Sequence, residues 1–452
     1  MDRYTVASVL TDLQQYFHIS DSQAGLLQTV FIWFYMLFAP ICGYLGDRFN
    51  RKLIMSVGLS IWTLAVFLSS LASPDDYTWF LLCRGIVGIG EASYSTVAPT
   101  MIADMFTGSQ RSWMLMVFYI AIPGGSGLGF MLGSRVSALT GHWQWGVRVT
   151  PLLAVICLLL IYFVLQEPHR GESENAHFEK TSLMEDIKYL IKIPTYIYIT
   201  IGFTAIVFVT GSMSWWTPTI AEHAYGMHHG TTKIPEDAKA NISLIFGVIT
   251  CSAGLLGVFL GALLAESWRD GNRWIHPNPS ADPLICSFGA LIAVPCMYLA
   301  LILTSKFMIG GWFMIFLAVT SMCFNWAINM DILMYTIIPN RRALATAIQT
   351  LISHLFGDAT SPYIVGLISD LIRRGDESSA GRFFSLQYAL FLPNFVLILG
   401  VLFYMIASFT VVEDREKNTR AIQMNASLFS DDENSVDEHA MEQDVRPLIN
   451  SD

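Results

Sequence analysis

The sequence predicts an all-α, polytopic membrane protein built as two six-helix bundles, and three observations carry that prediction. Only 14% of the residues are charged and 53% are hydrophobic, whereas a soluble domain carries about 25% charge. Apolar runs long enough to cross a bilayer recur along the whole chain. A polar stretch interrupts them near the middle. The division that follows is an N-terminal helix bundle over 1–166, a cytosolic linker with an amphipathic helix over 167–195, a C-terminal helix bundle over 196–412, and a disordered acidic cytosolic tail over 413–452.

The elements follow in order. The opening stretch from Met1 to Phe17 has a helical period but is too short to span. It reads as the second half of a first helix truncated at its N-terminus, with Asp2 and Arg3 in mid-membrane, or else as a terminus on which both are solvated charges. Spans are predicted near 24–46, 53–72, 78–103, 112–134 and 146–166. Within the linker, Ser182 to Ile193 has the spacing of a short helix lying on the membrane surface. Six more spans fall near 196–222, 241–266, 283–304, 309–338, 342–371 and 384–412. The result is six spans, a linker and six more.

Charge adds an orientation. The stretch from Glu413 to Asp452 has eleven acids against four Lys and Arg, so it supplies −7 of the formal −10 and says nothing about a substrate. With the linker in the cytosol, the loops on its side hold twelve Lys and Arg and the opposite loops eight, the sign expected of cytosolic loops. The seven cysteines all lie in apolar segments and read as small core residues, with no zinc spacing. No metal and no cofactor is expected, and no nucleic-acid partner.

One stretch stands out chemically. LCRGIVGIGEASYSTVAP, Leu82 to Pro99, places Arg84 and Glu91 inside an apolar span, on one helix face about 10 Å apart. An ionised group in mid-bilayer costs about 2.5–3.5 kcal/mol even on the lenient scale, so both should face protein or a wet cavity. A structural ion pair is the plain reading; a charge site in a transport path is the functional one. In the second half, His354 and Asp358 stand four apart on one helical face, with Asn329 and Asp331 on the preceding span. They read either as a polar pair within the bundle or as a headgroup or pH-sensing site. H-x-x-x-D also suggests an acyltransferase base, but neither a soluble catalytic domain nor a cofactor loop accompanies it. The aromatics Phe118, Tyr119, Trp215, Trp216 and Trp326 are candidates to line a cavity for an amphiphile.

Between the second and third spans, GYLGDRFNRK matches G-x-x-x-D-R-x-x-R-K, the cytosolic-loop pattern of the major facilitator superfamily, with Asn50 where that family usually has glycine. The match assigns a cytosolic gate motif to Gly43, Asp47, Arg48, Arg51 and Lys52. The fold expected is therefore two six-helix bundles of the major facilitator type. DRYTVASVL (2–10), GIGEASYSTVAPTMIADMF (88–106), FYIAIPGGSGLG (118–129), EPHRG (167–171) and NWAINMDILMYTIIPNRRALATAIQTLISHLFGDATSPYIVGLISD (325–370) together resemble the Spinster family of lysolipid transporters. The resemblance implies that Asp2 and Glu91 handle protons. It further implies that Arg3, Arg84, His354 and Asp358 meet a lipid headgroup. It implies a membrane lipid as substrate, a lysophospholipid or a phosphorylated sphingoid base, and protons as the coupling ion. A facilitator for a small organic anion is the alternative, since Arg84 would suit a carboxylate equally well.

The tail carries its own signal. Asp444, Leu448 and Ile449 fit the acidic dileucine pattern that clathrin adaptors read, which favours delivery to late endosomes and lysosomes, with the plasma membrane as the alternative.

Overall fold

The computed structural model describes residues 1–106, 108–167, 183–231, 233–271, 276–338 and 341–445. No strand occurs among the described residues. The first bundle contains α1 (Asp2–Ser8), α2 (Leu10–Phe17), α3 (Asp21–Arg48), α4 (Arg51–Ser69), α5 (Tyr77–Met105), α6 (Gly108–Thr140) and α7 (Trp143–Phe163). The linker contributes α8 (Leu183–Ile191). The second bundle contains α9 (Pro194–His229), α10 (Glu236–Asp270), α11 (Ala281–Thr304), α12 (Met308–Met322), α13 (Asn325–Thr336), α14 (Arg342–Ser353), a π turn (His354–Asp358), α15 (Ser361–Arg373), α16 (Ser379–Ala389) and α17 (Phe391–Val445).

Local chemistry sets the helix ends. α2 stops at His18, which adopts the left-handed conformation (φ 53°). Ser20 and Gln23 then form a reciprocal capping box that starts α3. Asn50 caps α4 by accepting from the Leu53 amide at 2.8 Å. Asparagine in place of the gate motif's usual glycine is thereby accounted for. Glycines set the spacing inside the first bundle. A Cβ on Gly88 would lie 2.2 Å from the Phe31 carbonyl oxygen of α3, and one on Gly90 2.7 Å from the Gly58 oxygen of α4.

Apolar side chains face outward as well as inward. On α7, Leu152, Ile156, Leu160 and Phe163 are exposed while Val147, Pro151 and Ala154 are buried. An exposed apolar belt of this kind is solvated by lipid. Among the described residues, eight helical stretches are long and apolar enough to cross a membrane. Outside that set stand α6, the short linker helix α8, α1 with α2, α5, and α14 with α15.

The bundles meet through α3 against α15 and α6 against α10. The bonds that join them cluster on the side away from the linker. Asp370 of α15 accepts from the amides of Asp21 (3.1 Å) and Ser22 (2.8 Å), a carboxylate at the positive end of α3. Asp21 in turn accepts from Ser369 (2.7 Å) and pairs with Arg373 (3.4 Å). A Cβ on Gly25 would lie 2.4 Å from the Pro362 oxygen, so the two backbones touch there. The far side is therefore closed.

Two boundaries differ from those expected. The span predicted to end near 222 continues helically to His229: the turn through His223, Ala224 and Gly226 packs inside the protein, and His228 and His229 end the helix at the surface. The predicted disordered tail gives way to α17, helical without a break to Val445. Neither proline nor glycine occurs from Val401 to Val445. Glu413–Lys417 and Glu416–Arg420 form i,i+4 pairs. Asp414 also accepts from the Thr195 amide at the start of α9 (3.0 Å), and Asn418 donates to the Tyr335 carbonyl at the end of α13 (2.9 Å). These two bonds tie the first turns of the tail to the second bundle.

Candidate functional site

The central polar residues come from three elements. α1 supplies Asp2 and Arg3, α5 supplies Arg84 and Glu91, and the π turn supplies His354 and Asp358. The π turn closes with the Ala359 amide donating to the His354 carbonyl at 3.0 Å, one residue more than an α-turn. It packs against α9 at Gly211, where a Cβ would come within 2.5 Å of the Asp358 backbone.

The charges pair differently from the sequence reading. Arg84 does not face Glu91. Its Nη1 donates to Asp2 Oδ2 at 2.6 Å, and both side chains are sealed, at 1% and 2% exposure. Thr150 Oγ1 donates to the other Asp2 oxygen at 3.3 Å. Arg84 Nε and Nη2 have no hydrogen-bond partner among the described residues. This pair anchors α1 on α5. Removing one partner of a buried ion pair costs about 3–5 kcal/mol. Arg84→Ala is therefore expected to lower the thermal unfolding midpoint in detergent sharply, and Asp2→Asn, which keeps an acceptor for Arg84, to lower it less.

Arg3 and Glu91 form the open part. Arg3 lies 3.9 Å from Glu91 Oε1 and 3.8 Å from Asp358 Oδ2, so one guanidinium spans both bundles. Side-chain exposures of 27% for Arg3, 19% for Glu91 and 14% for Asp358 keep the group reachable. Asp358 Oδ1 also contacts His354 Nδ1 at 2.8 Å. Phe31 of α3 lies 5.2 Å from the Arg3 guanidinium and 5.3 Å from that of Arg84, and separates the open cation from the sealed one. Tyr35 of α3 stands edge-on to His354 and accepts from Ser95 of α5 at 3.3 Å. Phe31, Tyr35 and Thr150 carry no charge, and no sequence signal set them apart.

The remaining candidates are scattered. In the gate motif, Arg48 sits over the Tyr44 ring, the Arg51 amide donates to Glu167 Oε1 (2.9 Å), and Lys52 donates to the Tyr162 carbonyl (2.8 Å). Gly43 has open space where a Cβ would be. The Asp47 side chain lies outside the described residues, as do the side chains of Tyr119 and Asp444 and the whole of Leu448 and Ile449. Trp215 and Trp216 are core residues, at 2% and 0% exposure, and Trp216 donates to the Pro362 carbonyl. Trp326 is 42% exposed against Phe203. Asn329 joins Gln349 and Tyr404 inside the second bundle, while Asp331 is exposed. Cys157 is exposed on α7 rather than in the core. Among the described residues no group of three or more His, Cys, Asp or Glu could hold a metal ion.

Two clasped bundles of membrane-crossing helices around a charged mid-section make a major facilitator transporter. A family model described as the Major Facilitator Superfamily matches residues 1–362. Among solved structures, the fold matches a bacterial homolog of the human lysosomal transporter Spinster, crystallised inward-facing and unoccupied. The TM-score is 0.76 at 20% identity, over 92% of this chain and 95% of that one. Protein spinster homolog 1 of Homo sapiens is 44% identical over 430 residues, 94% of this chain and 80% of that protein. The sphingosine-1-phosphate transporter SPNS2 of Xenopus tropicalis is 45% identical over 422 residues, 92% of this chain and 80% of that protein. The chain belongs to the Spinster family of the major facilitator superfamily. It is a multi-pass membrane transporter, and its relatives are transporters rather than enzymes, so the acyltransferase reading of His354 and Asp358 falls.

Proposed function

We propose that this protein moves a single-chain phosphate-bearing lipid, a lysophospholipid or a phosphorylated sphingoid base, by proton-coupled alternating access. The observation that carries the reading is Arg3, held loosely between Glu91 of one bundle and Asp358 of the other. Distances of 3.8–3.9 Å are longer than a charge-assisted hydrogen bond, so the guanidinium is free to take a phosphate without first breaking a tight pair. A phosphate arriving there brings a further negative charge to two carboxylates and one arginine. The cheapest compensation is a proton on Glu91 or on the His354–Asp358 pair. Lipid and proton then bind together and leave together. Asp2, sealed against Arg84 and Thr150, joins this exchange only if rocking of the bundles loosens α1.

One relative is a sphingosine-1-phosphate transporter, and one structural neighbour is a bacterial homolog of a human lysosomal transporter; both support the reading. Proteoliposomes offered labelled lysophosphatidylcholine, sphingosine-1-phosphate and small organic acids test it. Uptake of a lysolipid driven by a pH gradient is expected. Uptake of an organic acid in its place would establish the anion facilitator instead.

We place the protein in late endosomal or lysosomal membranes, with the far side toward the lumen, on the strength of the tail signal Asp444, Leu448 and Ile449 and a clathrin adaptor that reads it. Leu448→Ala combined with Ile449→Ala is expected to move the protein to the cell surface, as measured by surface biotinylation. Unchanged lysosomal residence would remove this assignment.

A further inference from the structure

The closed far side holds a buried carboxylate that the central site does not use. Glu222 of α9 is 1% exposed, and its Oε2 accepts from Thr11 Oγ1 of α2, so the bond crosses between bundles. On the same interface Lys239 of α10, itself 5% exposed, pairs with Asp12 of α2 and with Glu236 of its own helix. Asp12 and Glu236 thus hold one ammonium between them, and Glu222 lies within electrostatic reach of it. On the other flank His223 is 8% exposed and lies within electrostatic reach of Arg373 of α15 and Arg382 of α16. A crevice of about 10 Å³ runs beside α2 and α9, lined by Thr11, Gln15, His223, Thr231, Ser379 and Arg382. That is about the room one water needs. Thr11 touches Glu222 on one side and this crevice on the other.

We propose that Glu222 is a proton-operated latch of the far-side gate, a proton-binding site separate from the central one and filled from the far-side compartment. The inference rests on the alternating-access reading above, not on the choice of lipid. With the gate closed, the Thr11 hydroxyl bonds Glu222, and the nearby Lys239 ammonium is already paired with Asp12 and Glu236. Without water, a bare carboxylate is poorly compensated there and a neutral carboxyl is not. When the bundles part at this end, Thr11 and Asp12 leave with α2 and water reaches Glu222. Proton uptake and gate closure therefore favour each other, and by linkage the relation is reciprocal. The Asp12–Lys239 pair is broken by opening at any pH, so it sets the strength of the gate, whereas Glu222 sets its response to protons. Acid on the far side would close the gate behind a loaded substrate.

The test reads gate opening without any lipid substrate. Fluorophores on genetically encoded keto amino acids at Leu139 (80% exposed, α6) and Ile309 (73% exposed, α12) report the far-side distance in nanodiscs, with the native cysteines left in place. The distance is expected to be short at pH 5 and longer at pH 7.5. Glu222→Gln is expected to stay short at both, cutting the open population at pH 7.5 by about fivefold or more. A Glu222→Gln protein that keeps the full pH response overturns the proposal, as does an unsubstituted protein with none. If Glu222→Gln does not fold, Glu222→Asp decides: a response with a displaced midpoint supports the latch, and a flat one overturns it. A protein that gates as expected but moves no lysolipid would sink the substrate reading and leave the latch standing.

Discussion

Replacing Glu91 by glutamine is expected to leave downhill exchange of lysolipid intact and to abolish its concentration by a pH gradient. Each proton carried across one pH unit is worth about 1.4 kcal/mol, or a tenfold ratio of substrate. For one proton per lipid, a gradient of about two units supports accumulation of about 100-fold. Glu91→Gln keeps the size and hydrogen-bonding reach of the side chain but has no proton to gain or lose. Among the described residues Arg3 then keeps Asp358 as its carboxylate partner, and phosphate binding draws in no proton at position 91. The measurement is proteoliposome uptake at a series of imposed gradients. The slope of log accumulation against the pH difference should fall to near zero, while exchange at equal pH stays within a few-fold. A slope that survives would move the coupling to the His354–Asp358 pair.

Arg3→Ala is expected to be the more severe change for substrate. Hydrogen bonds to charged groups contribute about 1.5–3 kcal/mol each, so loss of the guanidinium should raise KM for a phosphorylated lipid about 10–100-fold. Arg3 is 27% exposed at its side chain and not part of the sealed pair, so the folded protein should tolerate the change. Arg3→Lys keeps the charge but loses the fork that can bridge Glu91 and Asp358 together, and should recover part of the binding and little of the coupling. The same series with Arg84 should act on protein yield and unfolding temperature, because Arg84 is 1% exposed. Should Arg84→Lys change KM with stability preserved, the two arginines would have exchanged roles.

Much of the architecture is legible in the sequence because lipid enforces it. Every span must satisfy its own backbone and present apolar side chains outward, so length and hydropathy locate the helices. The break at His18, the Asn50 cap and the linker helix also follow from residue chemistry. The pairing of charges is another matter. Arg84 and Glu91 share a helix face at seven-residue spacing, yet the fold gives Arg84 to Asp2 and Glu91 to Arg3, because α1 lies between them and carries one charge of each sign. Glu222 escaped notice for a related reason. A span cut off at 222 leaves that carboxylate at its very end, and only packing reveals that α9 continues for two more turns, the first of them buried to Gly226. Phe31 and Thr150 bear no mark in sequence, since their roles come from position alone.

The π turn from His354 to Asp358 fixes more than the aim of two side chains. Its extra residue sets the rotational phase of everything that follows, so excising one residue within it would relax the stretch to an ordinary α-helix and swing α15 by about 100°. Asp370 would then point away from the Asp21 and Ser22 amides, twelve residues downstream of the cut or more. Chain length at this one place is consequently tied to the seal between the bundles, and an indel that a surface loop would absorb becomes here a lesion in the closed state.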